Sequence, residues 1–181
     1  MRVVGGLYRH RILEWPDDVS HIRPTKDRIR ESIFNALGNI EGLNALDLYS
    51  GSGAMGIESL SRGCKYCTFV DCNKIAINVT KKNISNLNIT NARVLMKKDD
   101  DAIKDFISNN ETFDIIFIDP PYKEGRYEEL VDTFITNHLI SEKGIIVIEC
   151  DREINIKEEL FKKRKDYQYG EVKVIILWRK L

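Results

Sequence analysis

No apolar run in this chain is long enough to cross a membrane. The longest are Ile115–Ile118, Gly144–Ile148 and Val174–Trp178, against the roughly 20 residues a spanning helix needs. The start, Met1-Arg2-Val3-Val4-Gly5-Gly6, lacks the apolar core of a secretion signal, which implies a cytoplasmic protein. Charge of one sign is lacking too: 28 basic residues balance 28 acidic ones, so a general nucleic-acid coat, which would be basic, is excluded. Cysteines number four. Cys64 and Cys67 form a CxxC, but no second pair exists, and His10, His21 and His138 stand far apart, so a zinc site has no ligand set and no metal is expected. Repeats and low-complexity segments are absent. With 181 residues, 43% of them hydrophobic, the chain fits one domain with a real core.

What is present is an alternation. Leu43–Leu48, Tyr66–Val70, Ala92–Met96, Asp114–Ile118 and Ile145–Ile148 read as short apolar strands. Between them Ala54–Arg62, Lys74–Leu87, Ala102–Ser108 and Tyr127–Thr136 read as helices, with Ile75, Ala76, Val79 and Ile84 on the inner face of the second. Strands alternating with helices predict an α/β fold with a doubly wound, mostly parallel sheet. Residues 157–164 read as helical, and Val172–Trp178 as a final central strand. Before this core, residues 1–14 read as a hairpin or extended arm turning at Gly5-Gly6, and Thr25 caps a helix over Lys26–Leu37. On that helix Arg28 and Arg30 cannot share a face. The organisation is a single domain over 1–181, with an arm and helix over 1–40 and a catalytic core over 41–181.

Chemistry concentrates at Asp119-Pro120-Pro121-Tyr122, directly after the strand Ile115–Ile118. Proline has no N–H and a fixed φ, and it forces the preceding residue to be extended. The strand therefore stops at a carboxylate on a stiff rim, at the carboxyl edge where open α/β sheets bind ligands. A carboxylate, an uncovered proline carbonyl and an aromatic face suit a planar base bearing an amino group. A second motif, Gly51, Gly53 and Gly56, lies between a strand and a helix. It lets backbone approach a ligand at a positive helix N-terminus, and Asp71, twenty residues after Gly51, can hold a ribose diol. These facts alone fit NAD as well as S-adenosylmethionine. Asp47, four residues before Gly51, favours the cationic cofactor, and Asp99-Asp100-Asp101 can either bind an adenine amino group or form an acidic helix start. Arg2, Arg9, Arg11 and Arg23 form a basic arm, and Lys162-Lys163-Arg164-Lys165 a second basic cluster, each suited to phosphates or to solvent.

With these residues in order the chain resembles the bacterial 16S rRNA guanine-N2 methyltransferases, a class I S-adenosylmethionine-dependent family. The likeness rests on Arg2-Val3-Val4-Gly5-Gly6, on the block from Arg23-Pro24-Thr25 to Glu31 with Phe34-Asn35, on Leu46-Asp47-Leu48-Tyr49-Ser50-Gly51-Ser52-Gly53 with Gly56-Ile57-Glu58, and on Asp119-Pro120-Pro121-Tyr122. Asp71 stands where that family often has glutamate, and residues 97–101 are one or two out of register with its usual acid. The resemblance implies a Rossmann-like seven-stranded sheet of order 3-2-1-4-5-7-6 with an antiparallel last strand. It implies S-adenosylmethionine held by Asp47, Tyr49, Ser50, Gly51, Gly53, Asp71, Asp99 and Asp100, and catalysis by Asp119, Pro120, Pro121 and Tyr122. RNA would be held by Arg2, Arg9, Arg11, Arg23 and Thr25. The substrate would be 16S rRNA or a small-subunit particle, and the enzyme a monomer. The tetrapeptide is shared with adenine-N6 methyltransferases of RNA or DNA, and a catalytically silent RNA-binding assembly factor is a further reading.

Overall fold

The computed structural model describes residues 1–15, 27–121 and 125–180. Seven strands form one sheet: β1 (Asn44–Leu48), β2 (Tyr66–Asp71), β3 (Ala92–Met96), β4 (Phe113–Ile118), β5 (Ile140–Cys150), β6 (Phe161–Tyr169) and β7 (Val172–Arg179). Their order is β3-β2-β1-β4-β5-β7-β6. The first five are parallel, and β7 runs antiparallel to both β5 and β6. This is the sheet implied by the resemblance.

The helices are α1 (Asp27–Leu37), α2 (Ala54–Ser61), α3 (Lys74–Asn86), α4 (Asp99–Ser108) and α5 (Tyr127–Thr136). Alternate strand residues feed two cores. Ala45, Phe69, Phe117, Val147 and Ile176 pack with Phe34 of α1 and Ile57 of α2 on one face. Leu46, Ile116, Ile148 and Leu177 pack with Phe106 of α4 and Phe134 of α5 on the other. Strands buried on both faces explain the unbroken apolar runs.

Several local expectations need correction. Residues 157–164 are not a helix: a short 3₁₀ turn at Glu158–Leu160 leads into edge strand β6. An edge strand rich in lysine lacks the apolar alternation of a core strand, and the charge discourages pairing with another chain. Helix α4 begins at Asp99, three residues before the expected start, because its acidic first turn suits the positive helix end. In α3, Ala76 is buried as expected and Val79 and Ile84 are half-buried, but Ile75 is exposed, and Ile77, Thr80 and Asn83 are buried as well.

The arm folds back on itself, with Arg2 bridged to Ile12 and Val3 N–H donating to Arg11 O at 2.9 Å. Its glycines serve docking as much as turning. Gly6 has φ 73°, and a Cβ there would lie 1.8 Å from the Ser61 carbonyl oxygen. The arm is clamped onto α2 by Glu58, fully buried, which accepts from Val4 N–H at 2.9 Å and Gly5 N–H at 2.8 Å. Arg62 and the fully buried Arg30 neutralise that carboxylate, at 2.8 and 3.5 Å. Arg30 also donates to the Arg2 carbonyl, whereas Arg28 is exposed, so the two arginines do part company as their spacing requires.

Candidate active site

A cavity of about 480 Å³ opens at the carboxyl edge of the parallel strands. One half is built on β1, β2 and the start of α4. After β1 the chain turns sharply at Tyr49, whose φ is 67°, a left-handed conformation unusual for a bulky residue. Tyr49, Ser50 and Gly51 line the cavity there, and Gly53 starts α2. The third glycine of the motif has a packing reason. A Cβ on Gly56 would meet Phe69 at 2.3 Å and Cys67 Sγ at 2.7 Å, so only glycine lets α2 lie this close to β2.

Asp71 ends β2 with its carboxylate fixed from two sides: Gly51 N–H donates to Oδ2 at 2.9 Å and Asn73 N–H to Oδ1 at 2.8 Å. Each oxygen keeps a second lone pair, so the group can still accept from a diol. Tyr49 donates its hydroxyl to Asp99 Oδ2 at 2.5 Å, and Arg126 donates to the same oxygen at 2.7 Å. Of the acidic triplet only Asp99 lines the cavity. Asp100 is turned to Arg126, 2.8 Å away, which holds its carboxyl below the usual range. Sequence spacing could not choose among the three, because the choice depends on the phase of α4.

The other half holds Phe117, Asp119, Pro120 and Pro121 from β4 and its rim, Val147 and Glu149 from β5, and Ile33 from α1. Asp47 and Phe117 are register partners, as are Phe117 and Val147. Asp119 and Glu149 lie two residues beyond, so all three carboxylates point to the α1 side of the sheet. Burial pushes the Asp47 carboxyl up to about 8, despite a 2.8 Å hydrogen bond from Gly56 N–H, and nearby Asp71 adds to the rise. Asp119 is half-buried. Burial first, then Glu149 and Asp47, push its carboxyl well above the ordinary value. Glu149 belongs to this cluster. Its signal was the one that marked Asp119: an acid ending an apolar parallel strand.

Such a concentration of acid is relieved by a cation. Ser50 Oγ is buried with no hydrogen-bond partner among the described residues, a polar atom waiting for a ligand. The donor set therefore fits a molecule with a diol beside Asp71 and a positive centre near Asp47. Other expected residues fall elsewhere. Arg2, Arg9 and Arg11 are exposed on the arm, Arg2 beside Asp27 and Arg11 donating to Asn86 O at 3.2 Å. Arg23, Thr25 and Tyr122 lie outside the described residues. Cys64 and Cys67 are buried free thiols packed under α2.

Comparison with known proteins agrees with this architecture. The model of the family described as conserved hypothetical protein 95 matches residues 1–178. YlbH of Bacillus subtilis (strain 168), named provisionally as an rRNA methyltransferase, is 39% identical over 160 residues, which is 87% of this chain and 86% of that protein. Ribosomal RNA small subunit methyltransferase D of Escherichia coli (strain K12) is 33% identical over 154 residues, 84% of this chain and 76% of the relative. The solved structure of yhhF from Escherichia coli superposes with a TM-score of 0.86 at 30% identity, over 99% of this chain and 98% of that one. With the family model spanning nearly the whole sequence and the sheet order matching, this chain belongs to that family, a group of class I S-adenosylmethionine-dependent methyltransferases.

Proposed function

We propose that this chain methylates the exocyclic N2 amine of a guanine in small-subunit ribosomal RNA. The observation that carries the reading is the pairing of Asp119 with Glu149 at the ends of adjacent strands, in one cavity with the cofactor loop. The Watson–Crick edge of guanine presents donors at N1 and N2, which carboxylate oxygens accept. Adenine presents an acceptor at N1, which would face a carboxylate lone pair. The names of the relatives carry the choice of small-subunit RNA.

When bound, S-adenosylmethionine supplies a methyl group on a positively charged sulfur. Asp47, Tyr49, Ser50, Gly51, Asp71 and Asp99 line the half of the cavity that would hold it, with Gly53 starting α2 beside them; Asp47 would face the positive end and Asp71 the ribose. Asp119 and the Pro120 carbonyl accept the two amine hydrogens and aim the nitrogen lone pair at the methyl carbon. Positioning of this kind supplies up to about 7–11 kcal/mol of a barrier. The proton that the nitrogen loses passes to Asp119, whose raised affinity for protons suits it to receive one. Tyr122 stacks on the base once it leaves its own stack, and Arg2, Arg9, Arg11 and Arg23 hold backbone phosphates.

Mass mapping of small-subunit rRNA from cells lacking this protein tests the reading. The expected result is the loss of one N2-methylguanine, restored by the parent gene and not by an Asp119→Asn variant. A lost N6-methyladenine would replace guanine with adenine, and an unchanged modification map would leave only an RNA-binding role.

A further inference from the structure

The sheet face that carries Asp119 and Glu149 continues beyond the cavity onto β7 and β6. Glu149 is the register partner of Val174, and Val174 of Tyr167. Side chains in one cross-strand row share a face, so Tyr167 stands two strands away from Glu149, about 10 Å at ordinary strand spacing. Along β6 the residues on this face are Lys163, Lys165, Tyr167 and Tyr169, and beside them on β7 lies Trp178. Tyr167 and Tyr169 are half-buried and near-parallel, with ring centroids 6.3 Å apart and planes 16° apart. Tyr169 is held from α1 by a 2.5 Å hydrogen bond to Ser32 Oγ. Lys163 lies 4.7 Å over the Trp178 ring.

The opposite face of β6 differs. There Arg164 pairs with Asp166 at 2.8 Å, and Asp166 with Lys173 at 3.5 Å. Lys165, on the aromatic face, is exposed and makes no ion pair among the described residues. One face is thus internally neutralised, and the other couples flat rings with uncompensated positive charge.

We propose that this aromatic and basic face of β6 and β7 binds the unpaired nucleotides flanking the target base. It rests on the methyltransferase reading above and adds to it where the RNA leaves the cavity. Rings with lysines between them suit single-stranded nucleic acid, because bases stack on the rings while the backbone follows the positive charge. Val174, between Glu149 and Tyr167 in that row, is fully buried, so the strand passes around the row to reach the tyrosines. Duplex RNA offers no free base faces to the tyrosines, so the surface selects an opened strand.

The test measures anisotropy of a labelled single-stranded RNA about ten nucleotides long, a length within the usual range for such surfaces, with methyl transfer and cofactor affinity followed in parallel. Tyr167→Ala should weaken RNA binding about tenfold or more, as expected from losing one base–ring stack, and raise the KM for RNA while kcat and cofactor affinity hold. Tyr167→Phe should bind as the parent does, because the ring remains. Lys165→Ala should lower the slope of log affinity against log salt by about 0.7, the value for one contact to a single strand. A parent that binds duplex RNA as tightly as the single strand overturns the stacking surface, and so does a Tyr167→Ala variant that binds RNA like the parent. A parent whose RNA binding depends on Tyr167 but which methylates no RNA leaves the surface standing and removes the guanine reading instead.

Discussion

Replacing Asp47 by asparagine should change both how this protein binds its cofactor and how stable it is without it. The Asp47 carboxyl titrates near 8 rather than 3.8, so at neutral pH the ligand-free protein holds it mostly protonated. A cationic ligand favours the ionised form. Ionising the group first costs about 1.4 kcal/mol at pH 7 and about 2.7 kcal/mol at pH 6, at 1.36 kcal/mol per unit. Cofactor affinity should therefore rise about tenfold per pH unit below 8 and level off above it, with about one proton released by Asp47. The stability effect has the opposite sense. A carboxyl whose folded pKa is raised contributes fully below its unfolded pKa, and that contribution is lost as pH climbs from about 3.8 to about 8. By pH 7 the loss reaches up to about 4 kcal/mol. Asp47→Asn keeps an acceptor for the Gly56 N–H and removes the titration. The ligand-free variant should therefore be more stable at pH 7 by about 2–4 kcal/mol, yet bind S-adenosylmethionine more weakly. Calorimetry in two buffers of different ionisation enthalpy, from pH 6 to pH 9, counts the protons, and urea unfolding gives the stability. A variant that releases as many protons as the parent, or that is less stable at pH 7, would refute the reasoning.

Three further outcomes follow from the geometry. Asp119→Asn turns an acceptor into a donor against an amine hydrogen. Single-turnover methyl transfer at saturating RNA and cofactor should slow about a hundredfold or more, with cofactor affinity little changed; loss of the cofactor instead would place Asp119 in the other half of the cavity. Asp71→Ala should weaken cofactor binding roughly ten- to a hundredfold, about 1.5–3 kcal/mol for a charged acceptor. Titration calorimetry reads this, and unchanged affinity would remove Asp71 from the ribose. Glu58→Ala removes the acceptor of the Val4 and Gly5 N–H groups, while Arg30 keeps Asp27 at 2.9 Å, and should cost about 1–3 kcal/mol of stability for each N–H left unsatisfied. Hydrogen exchange should quicken at Val4 and Gly5, and slow exchange there in the variant would show that the arm is held by other contacts.

The parts of the fold legible in the sequence were those whose signal is local. An apolar β-branched run bounded by turn residues can hardly be anything but a buried strand, and an acid or glycine after it marks the sheet's carboxyl edge. Asp47, Asp71, Asp119 and the glycine loop were found on that ground, and the structure brings them into one cavity. Edge strand β6 failed because an exposed strand has no burial pattern to display, and its lysines read equally well as a helix surface. Glu58 and Arg30 were silent for another reason. Charged residues on short amphipathic helices are ordinarily solvated, and nothing in the local sequence reports that another segment will cover them. Their burial is decided by the arm, fifty residues away from Glu58.

The even charge of the molecule has a kinetic consequence once its charges are placed. Acidic groups cluster in the cavity, exposed cations stand on the arm and β6 and also on α3 and α4, and the formal net charge is zero. Beyond a Debye length of about 8 Å at physiological salt, a polyanion exerts little pull on such a body. Encounter should then run near the unsteered range of about 10⁵–10⁶ M⁻¹s⁻¹ rather than the fast electrostatic limit. In a cell crowded with RNA this keeps the protein from lingering on the wrong strand. It stays only where a base reaches the cavity.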